Sequence, residues 1–161
     1  MAVKLSFAVA SIALVLTSSA SWATCRPTSR LTINGGEVYD NKTTLTWARC
    51  SVGQRWQDGA GCLGDVKTFT FDEAQKQASG EWRVPTRGEL ESLIDQSCSP
   101  AKIDDQAFPD MNPTLLAYWS STPNAVDSSV AYLVNFYDGT IDAGGYYRSG
   151  AGAVRLVRGG G

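Results

Sequence analysis

Thr70-Phe71-Asp72-Glu73-Ala74-Gln75-Lys76-Gln77-Ala78-Ser79-Gly80-Glu81-Trp82-Arg83-Val84-Pro85-Thr86-Arg87-Gly88-Glu89-Leu90 decides the fold class, because it spells the start of a short helix twice. In Thr70-x-x-Glu73 and again in Thr86-x-x-Glu89, a threonine hydroxyl can accept from the glutamate N–H while the glutamate carboxylate reaches back to the threonine N–H. This capping box satisfies donors that a helix start otherwise leaves unpaired. Phe71, Ala74 and Ala78 fall on one face of the first segment, which Gly80 should end, and Leu90, Leu93 and Ile94 form the apolar stripe of the second. Trp82-Arg83-Val84-Pro85 joins them as an extended segment, since the proline ring biases Val84 away from the helical region.

Working outward, the remaining periodicity is that of strands. Val38, Leu45 and Trp47 lie on either side of the polar turn Asp40-Asn41-Lys42-Thr43, which predicts a hairpin whose second strand runs into Cys50. From Ala101 to Asn112 no period is visible, Pro109 interrupts and Pro113 closes, so an ordered loop is expected. Leu116 to Ser120 and Val130 to Tyr137 read as strands, Asp138-Gly139 as a hairpin turn leading to Thr140–Asp142, and Val154 to Arg158 as the final strand. The expectation is an α+β fold in which two short helices pack on antiparallel β-sheet.

The ends and the cysteines set the compartment. Lys4, the apolar run Leu5–Leu16 and the small-x-small exit Ser21-Trp22-Ala23 predict a signal peptide over residues 1–23, leaving one domain over 24–161. The run is shorter than the roughly 20 residues of a spanning helix, so no membrane segment is expected after cleavage. Among 161 residues there are 16 acidic and 14 basic side chains, and losing Lys4 makes the balance more acidic, which argues against a nucleic-acid partner. The four cysteines, an even number in an exported chain, predict two disulfides. Three pairings are open. The expected one closes the Gly-rich loop between Cys50 and Cys62, stabilising by about 3 kcal/mol in the chain-entropy model, and leaves Cys25 for Cys98. There is no Cys-x-x-Cys spacing and no histidine, so no zinc site, reactive thiol or cofactor is expected.

One set of motifs runs in order along the chain: Val38-Tyr39-Asp40, Leu45-Thr46-Trp47-Ala48-Arg49-Cys50, Trp82-Arg83-Val84-Pro85-Thr86 with Glu89-Leu90, Trp119-Ser120-Ser121, Asn135-Phe136 with Gly139, and Val154-Arg155-Leu156-Val157. Together they resemble the DUF1566 family, also called the Lcl C-terminal domain. The resemblance implies an exported bacterial protein with a C-type lectin-like fold, in which two helices pack on antiparallel sheets and amino- and carboxy-terminal strands meet. The family's namesake is the terminal domain of a trimeric, collagen-like surface adhesin that binds sulfated glycosaminoglycans. This chain departs from that setting in having no collagen-like Gly-x-y region and in being acidic, with a formal charge of −2.

For function, the residues favour a non-catalytic binding or adhesion module in the periplasm or at the cell surface, with a glycan or a cell-envelope protein as partner. Neighbouring side chains of an extended segment point to opposite faces, so of Phe136-Tyr137 and of Tyr146-Tyr147 at least one ring each should be accessible. Accessible aromatic rings beside amides and arginines suit a carbohydrate, on which a ring stacks while polar neighbours fix orientation. The predicted contact surface is Trp56, Asn135, Tyr137, Tyr146, Tyr147 and Arg148; Trp47, Trp82 and Trp119 are expected in the core. Arg148, Arg155 and Arg158, with no acid from Ala143 onward, raise the prospect of a positive face, set against pairing with acids of neighbouring strands. The competing readings are an envelope enzyme acting on glycans through a carboxylate pair, with Asp138 and Asp142 or Asp104 and Asp105 as candidates, and a structural subunit of an envelope complex.

Overall fold

The structure is a computed structural model that describes Cys25 and residues 29–99, 101–111, 117–142 and 145–160. The expected signal peptide and its cleavage site, the start of the predicted strand at Leu116, and Asn112 and Pro113 lie outside the described residues. In chain order the elements are β1 (Leu31–Asn34), β2 (Glu37–Asp40), β3 (Leu45–Ala48), β4 (Arg55–Gln57), β5 (Gly61–Leu63), β6 (Thr68–Phe69), α1 (Phe71–Gln75), α2 (Arg87–Glu91), β7 (Ala117–Pro123), β8 (Val130–Asn135), β9 (Thr140–Ile141), β10 (Tyr146–Tyr147), β11 (Gly152–Ala153) and β12 (Val157–Arg158).

Alternation in the predicted hairpin builds the first sheet. β2 and β3 pair Val38 with Trp47 and Asp40 with Leu45, so these four side chains share one face, and all are buried. β1 adds outside β2, and β12 adds antiparallel to β3, giving the order β1-β2-β3-β12. A larger sheet runs β10-β8-β7-β11-β6, with β9 also pairing β8 and with β11 parallel to β7. Parity on its two central strands divides the core. Tyr118 and Val134 point toward the first sheet and join Trp47, Leu90, Phe108 and Phe136, while Trp119, Ala131 and Leu133 point the other way, onto Phe71 and Ala74 of α1. Burial of each such Leu- or Val-sized side chain contributes about 1.5–3 kcal/mol. The chain is therefore α+β, with two short helices on antiparallel sheets.

Both capping boxes form: Thr70 and Thr86 are the N-caps, and Glu73 and Glu89 return the second hydrogen bond. The first helix is shorter than its sequence suggests. It ends at Gln75, and Ala78, expected on its buried face, is exposed. The reason is a competing turn: the Ser79 and Trp82 backbones exchange hydrogen bonds of 2.9 and 3.1 Å around Gly80, whose φ of +61° is the left-handed conformation that glycine tolerates.

The last strand also differs from expectation. Val154 to Leu156 is not a strand within one sheet but a crossing, leaving the larger sheet at Ala153 and entering the smaller one at Val157. Its backbone is bonded on the way, with Val154 O accepting from Val52 N–H and Leu156 O from Ala48 N–H. The cysteines pair Cys50–Cys62 and Cys25–Cys98. The segment between Cys50 and Cys62, anticipated as a loop, holds a hairpin that sets Trp56 opposite Cys62.

Candidate functional site

Strand register assembles a groove on the α1 side of the larger sheet. β7 and β8 pair Ala117 with Asn135 and Trp119 with Leu133, β9 sets Thr140 beside Asn135, and β10 sets Tyr146 beside Ala131. These residues share a face by the two-residue period, and Ala117, Leu133, Asn135, Thr140, Ile141, Asp142, Tyr146 and Ala151 line a space of about 470 Å³ there. Leu133, Ala117 and Ala151 supply the apolar part of the wall; Asn135, Thr140 and Asp142 supply the polar one. Asn135 accepts from Tyr137 N–H at 2.8 Å through Oδ1, which leaves its amide nitrogen on the other end of the side chain.

Glycine makes room for the ring that closes this groove. A Cβ at Gly150 would fall 2.0 Å from Tyr146 Cε1, so the tyrosine lies across a position that only hydrogen can occupy. Tyr146 also packs against the buried Trp119, with ring centroids 6.0 Å apart. Trp119 is oriented in turn by its Nε1, which donates to Phe69 O at 2.7 Å, and sits over Gly152, where a Cβ would come 2.8 Å from that nitrogen. The Gly-rich run after Tyr147 thus serves as a bed for two aromatic rings.

Of the six predicted contact residues, the structure brings Asn135 and Tyr146 together. Phe136 is fully buried while Tyr137 is 52% exposed, as parity requires, but Tyr137 is not on the groove wall. Tyr147 is 69% exposed on the opposite face of β10. Arg148 is tied elsewhere: it ion-pairs with Asp72 of α1, lies 4.6 Å over the Phe71 ring and donates to Ser128 O. Trp56 belongs to a separate groove of about 350 Å³ with Trp82. Trp82 is accordingly half-buried rather than part of the core, unlike Trp47 and Trp119, because the Ser79–Trp82 turn carries it to the surface. Thr140, Ala117 and Leu133 were missed in the sequence; the signal for them was parity with Asn135, which needed the register.

Among the described residues, the late arginines are paired with acids and form no positive face. Arg155 is fully buried and pairs with Asp110 at 2.5 Å, and Arg158 pairs with Glu37 at 2.8 Å and Glu81 at 3.3 Å. Around Arg155 the polar groups form a network that leaves its buried Nε without a partner: its terminal nitrogens also donate to Ala48 O and Arg49 O, Asp110 accepts from Ser51 N–H at 2.6 Å, and the Ser51 and Tyr118 hydroxyls are 2.8 Å apart. Burial pushes the Asp110 carboxyl up, but the Arg155 charge and the hydrogen bonds from Arg155 and Ser51 outweigh it and hold the group below the usual carboxylate range.

One member of each candidate carboxylate pair takes up a turn-forming role. Asp138 accepts from the Thr140 hydroxyl at 2.6 Å and the Thr140 N–H at 2.9 Å, which lowers its pKa, and it does not line the groove that Asp142 lines. Asp104 accepts from the N–H groups of Gln106 and Ala107. Asp104 and Asp105 lie near the Cys25 sulfur, but that sulfur is bonded to Cys98 and offers no thiolate.

A family model for the Lcl C-terminal domain matches residues 36–158. The chain belongs to the Lcl C-terminal domain family. The match opens one residue before β2 and ends with β12, so it spans every element but β1, including both helices and the groove. Lcl C-terminal domains are bacterial surface-type domains. No curated protein matches the chain in sequence. Among the described residues, no helix is long and apolar enough to cross a membrane.

The residues that carried the resemblance occupy the scaffold. Val38, Trp47, Trp119, Ser120, Val154, Arg155 and Val157 are buried, Asp40 is buried against Arg30, and Arg83 pairs with Glu89 at 2.6 Å behind the second capping box. In this Lcl C-terminal domain the motifs specify how the two sheets and the helices meet. Two motif residues, Asn135 and Trp82, also line the two grooves.

Proposed function

We propose that this Lcl C-terminal domain is an exported, non-catalytic binding or adhesion module of C-type lectin-like fold, acting in the periplasm or at the cell surface and holding a glycan in the Tyr146 groove. The observation that carries the reading is the groove itself, in which a pre-positioned tyrosine ring and an apolar floor face Asn135, Thr140 and Asp142. A sugar presents the matching chemistry, an apolar ring face edged by hydroxyls. Export is supported by the amino-terminal sequence pattern and by the pairing of all four cysteines. The lectin-like fold is supported by the two helices on antiparallel sheets and by β12 closing the amino-terminal sheet.

The test is an array of bacterial and host glycans probed with the disulfide-bonded exported chain, with and without calcium and at two salt concentrations. Saturable binding that falls about tenfold or more in Tyr146→Ala and Asn135→Ala, with the fold intact, is the expected result. Binding unmoved by both changes would place the ligand elsewhere, and a folded protein that bound no glycan would turn the reading toward a cell-envelope protein.

A further inference from the structure

The second groove is independent of the first. It lies where β2, the β4–β5 hairpin and the Leu156 crossing meet, and it is framed by Trp56 and Trp82, with Gly36, Ser51, Gly53 and Gln54 on its wall. Both indoles are held before any ligand arrives. Trp56 Nε1 donates to Asp58 at 2.7 Å, its Cβ sits where a side chain at Gly36 would come within 2.9 Å, and the Arg49 guanidinium lies 3.9 Å from its ring centroid. Trp82 carries the Arg158 guanidinium at 5.1 Å.

The charge pattern narrows what can enter. Arg49 donates to the carbonyls of Gly35, Gln106 and Ala107, and none of these bonds is to a carboxylate, so its positive charge stays behind the Trp56 ring. A cation approaching the indoles would meet rings whose negative faces already serve guanidinium groups. Among the described residues, no lysine, arginine, aspartate or glutamate lines the groove, and the nearby Arg49 and Arg158 lie against the indole rings, so the wall itself offers no ion-pair partner to a sulfate, a carboxylate or an amine. Gln54 on the wall is turned into the protein, giving its amide nitrogen to Gly64 O at 3.1 Å and burying its Oε1. The occupant that suits these walls is uncharged and presents a flat apolar face to the indoles. Two aromatic rings on an uncharged wall fit a pyranose better than a cationic or anionic group.

We infer that the Trp56–Trp82 groove is a binding site for an uncharged saccharide unit, distinct from the Tyr146 groove and independent of it. Intrinsic fluorescence reads this site directly, since Trp47 and Trp119 are fully buried whereas Trp56 and Trp82 are accessible to a collisional quencher. The disulfide-bonded exported chain is titrated with cellohexaose and with N-acetylchitohexaose in the presence of acrylamide. At least one of these neutral sugars is expected to protect the indoles from quenching, equally at low and high salt. Trp82→Ala and Trp56→Ala each weaken that protection about tenfold, the remaining indole serving as reporter, and Tyr146→Ala leaves it unchanged. Two variants are used so that misfolding of one, checked by near-ultraviolet circular dichroism, does not remove the test.

The inference is overturned if folded protein shows no protection with either sugar at millimolar concentration, or if protection survives both tryptophan changes. Protection by heparin that vanishes with salt, or by a proline-rich peptide alone, overturns it as well. A Tyr146 groove that fails on the glycan array while the indoles are protected would sink the proposed function and leave this site standing.

Discussion

The crossing at Arg155 and the groove at Tyr146 lie close together in sequence and are built on opposite principles. At the crossing a charged side chain with no exposed surface is bonded through both terminal guanidinium nitrogens, to Asp110 and two backbone carbonyls beside the Ser51–Tyr118 hydroxyl pair, while its buried Nε has no partner. At the groove an aromatic side chain that is 41% exposed is held by shape alone, across Gly150 and against Trp119. The first arrangement has one solution and fails if any part is removed. The second leaves one face of its ring open beside a partly apolar groove, which is what a ligand needs. Most of the motif residues by which the family is recognised, such as Trp47, Val154 and Arg155, belong to arrangements of the first kind, while Asn135 and Trp82 line grooves.

The comparison breaks most visibly at Arg155. Arg155→Ala leaves the Asp110 carboxylate buried without its partner, and loss of one member of such a pair typically costs about 3–5 kcal/mol. Chemical denaturation should show a midpoint shift of that size, while Tyr146→Ala, which removes only a half-exposed ring, shifts it far less. Equal shifts in the two variants would show that the Arg155 cluster is not the tighter of the two regions.

Acid should separate the regions next. The folded pKa of Asp110 is depressed, so its contribution to stability is complete above the unfolded carboxyl value of about 4 and is lost as pH falls through the lower folded value. Stability measured between pH 6 and pH 2 should therefore fall on the acid side only. Asp110→Asn should be less stable throughout and lose less on acidification, because the group that titrates is gone. An unchanged acid slope in that variant would mean that other carboxylates, such as Asp40 against Arg30, dominate.

Which parts of this were legible in the sequence follows from how local the cause is. The capping boxes at Thr70 and Thr86 needed only four residues each, and both formed. Phe136 inward and Tyr137 outward followed from parity within one strand. The partners of the late arginines could not be read that way, since Asp72, Asp110, Glu37 and Glu81 all come from remote segments that the two sheets bring back. The crossing at Val154–Leu156 was hidden for the same reason: an alternating run looks like one strand whether it serves one sheet or two. Grouping Trp56 with Tyr146 as a single surface assumed a proximity that the chain does not make, and the placement of Trp82 depended on a two-residue turn that ended a helix early.

Gly150 tests the groove by shape. Gly150→Ala places a methyl group where the Tyr146 ring lies, and because that ring is half-exposed it can swing outward instead of straining the sheet. The stability cost should be about 1 kcal/mol, at the low end for overpacking, while glycan binding by the Tyr146 groove should fall as far as in Tyr146→Ala. A variant that lost stability but bound normally would show that the position of the ring is not what the groove supplies.

The smallest expected effect is at Tyr147, and it is the sharpest control because its neighbour matters so much. The register of β10 on β8 sets Tyr146 beside Ala131 and Tyr147 beside Val130, so the two adjacent rings leave the strand on opposite faces, and only Tyr146 meets the groove. Tyr147→Ala removes a ring that is 69% exposed, and surface changes of this kind usually stay within about 0.5 kcal/mol. Stability and glycan binding should both remain near those of the parent chain in the same titrations that Tyr146→Ala disrupts. Were Tyr147→Ala to abolish binding while Tyr146→Ala did not, the ligand would be on the other face of the sheet edge, and the contrast between a closed crossing and an open groove would have to be redrawn around that face.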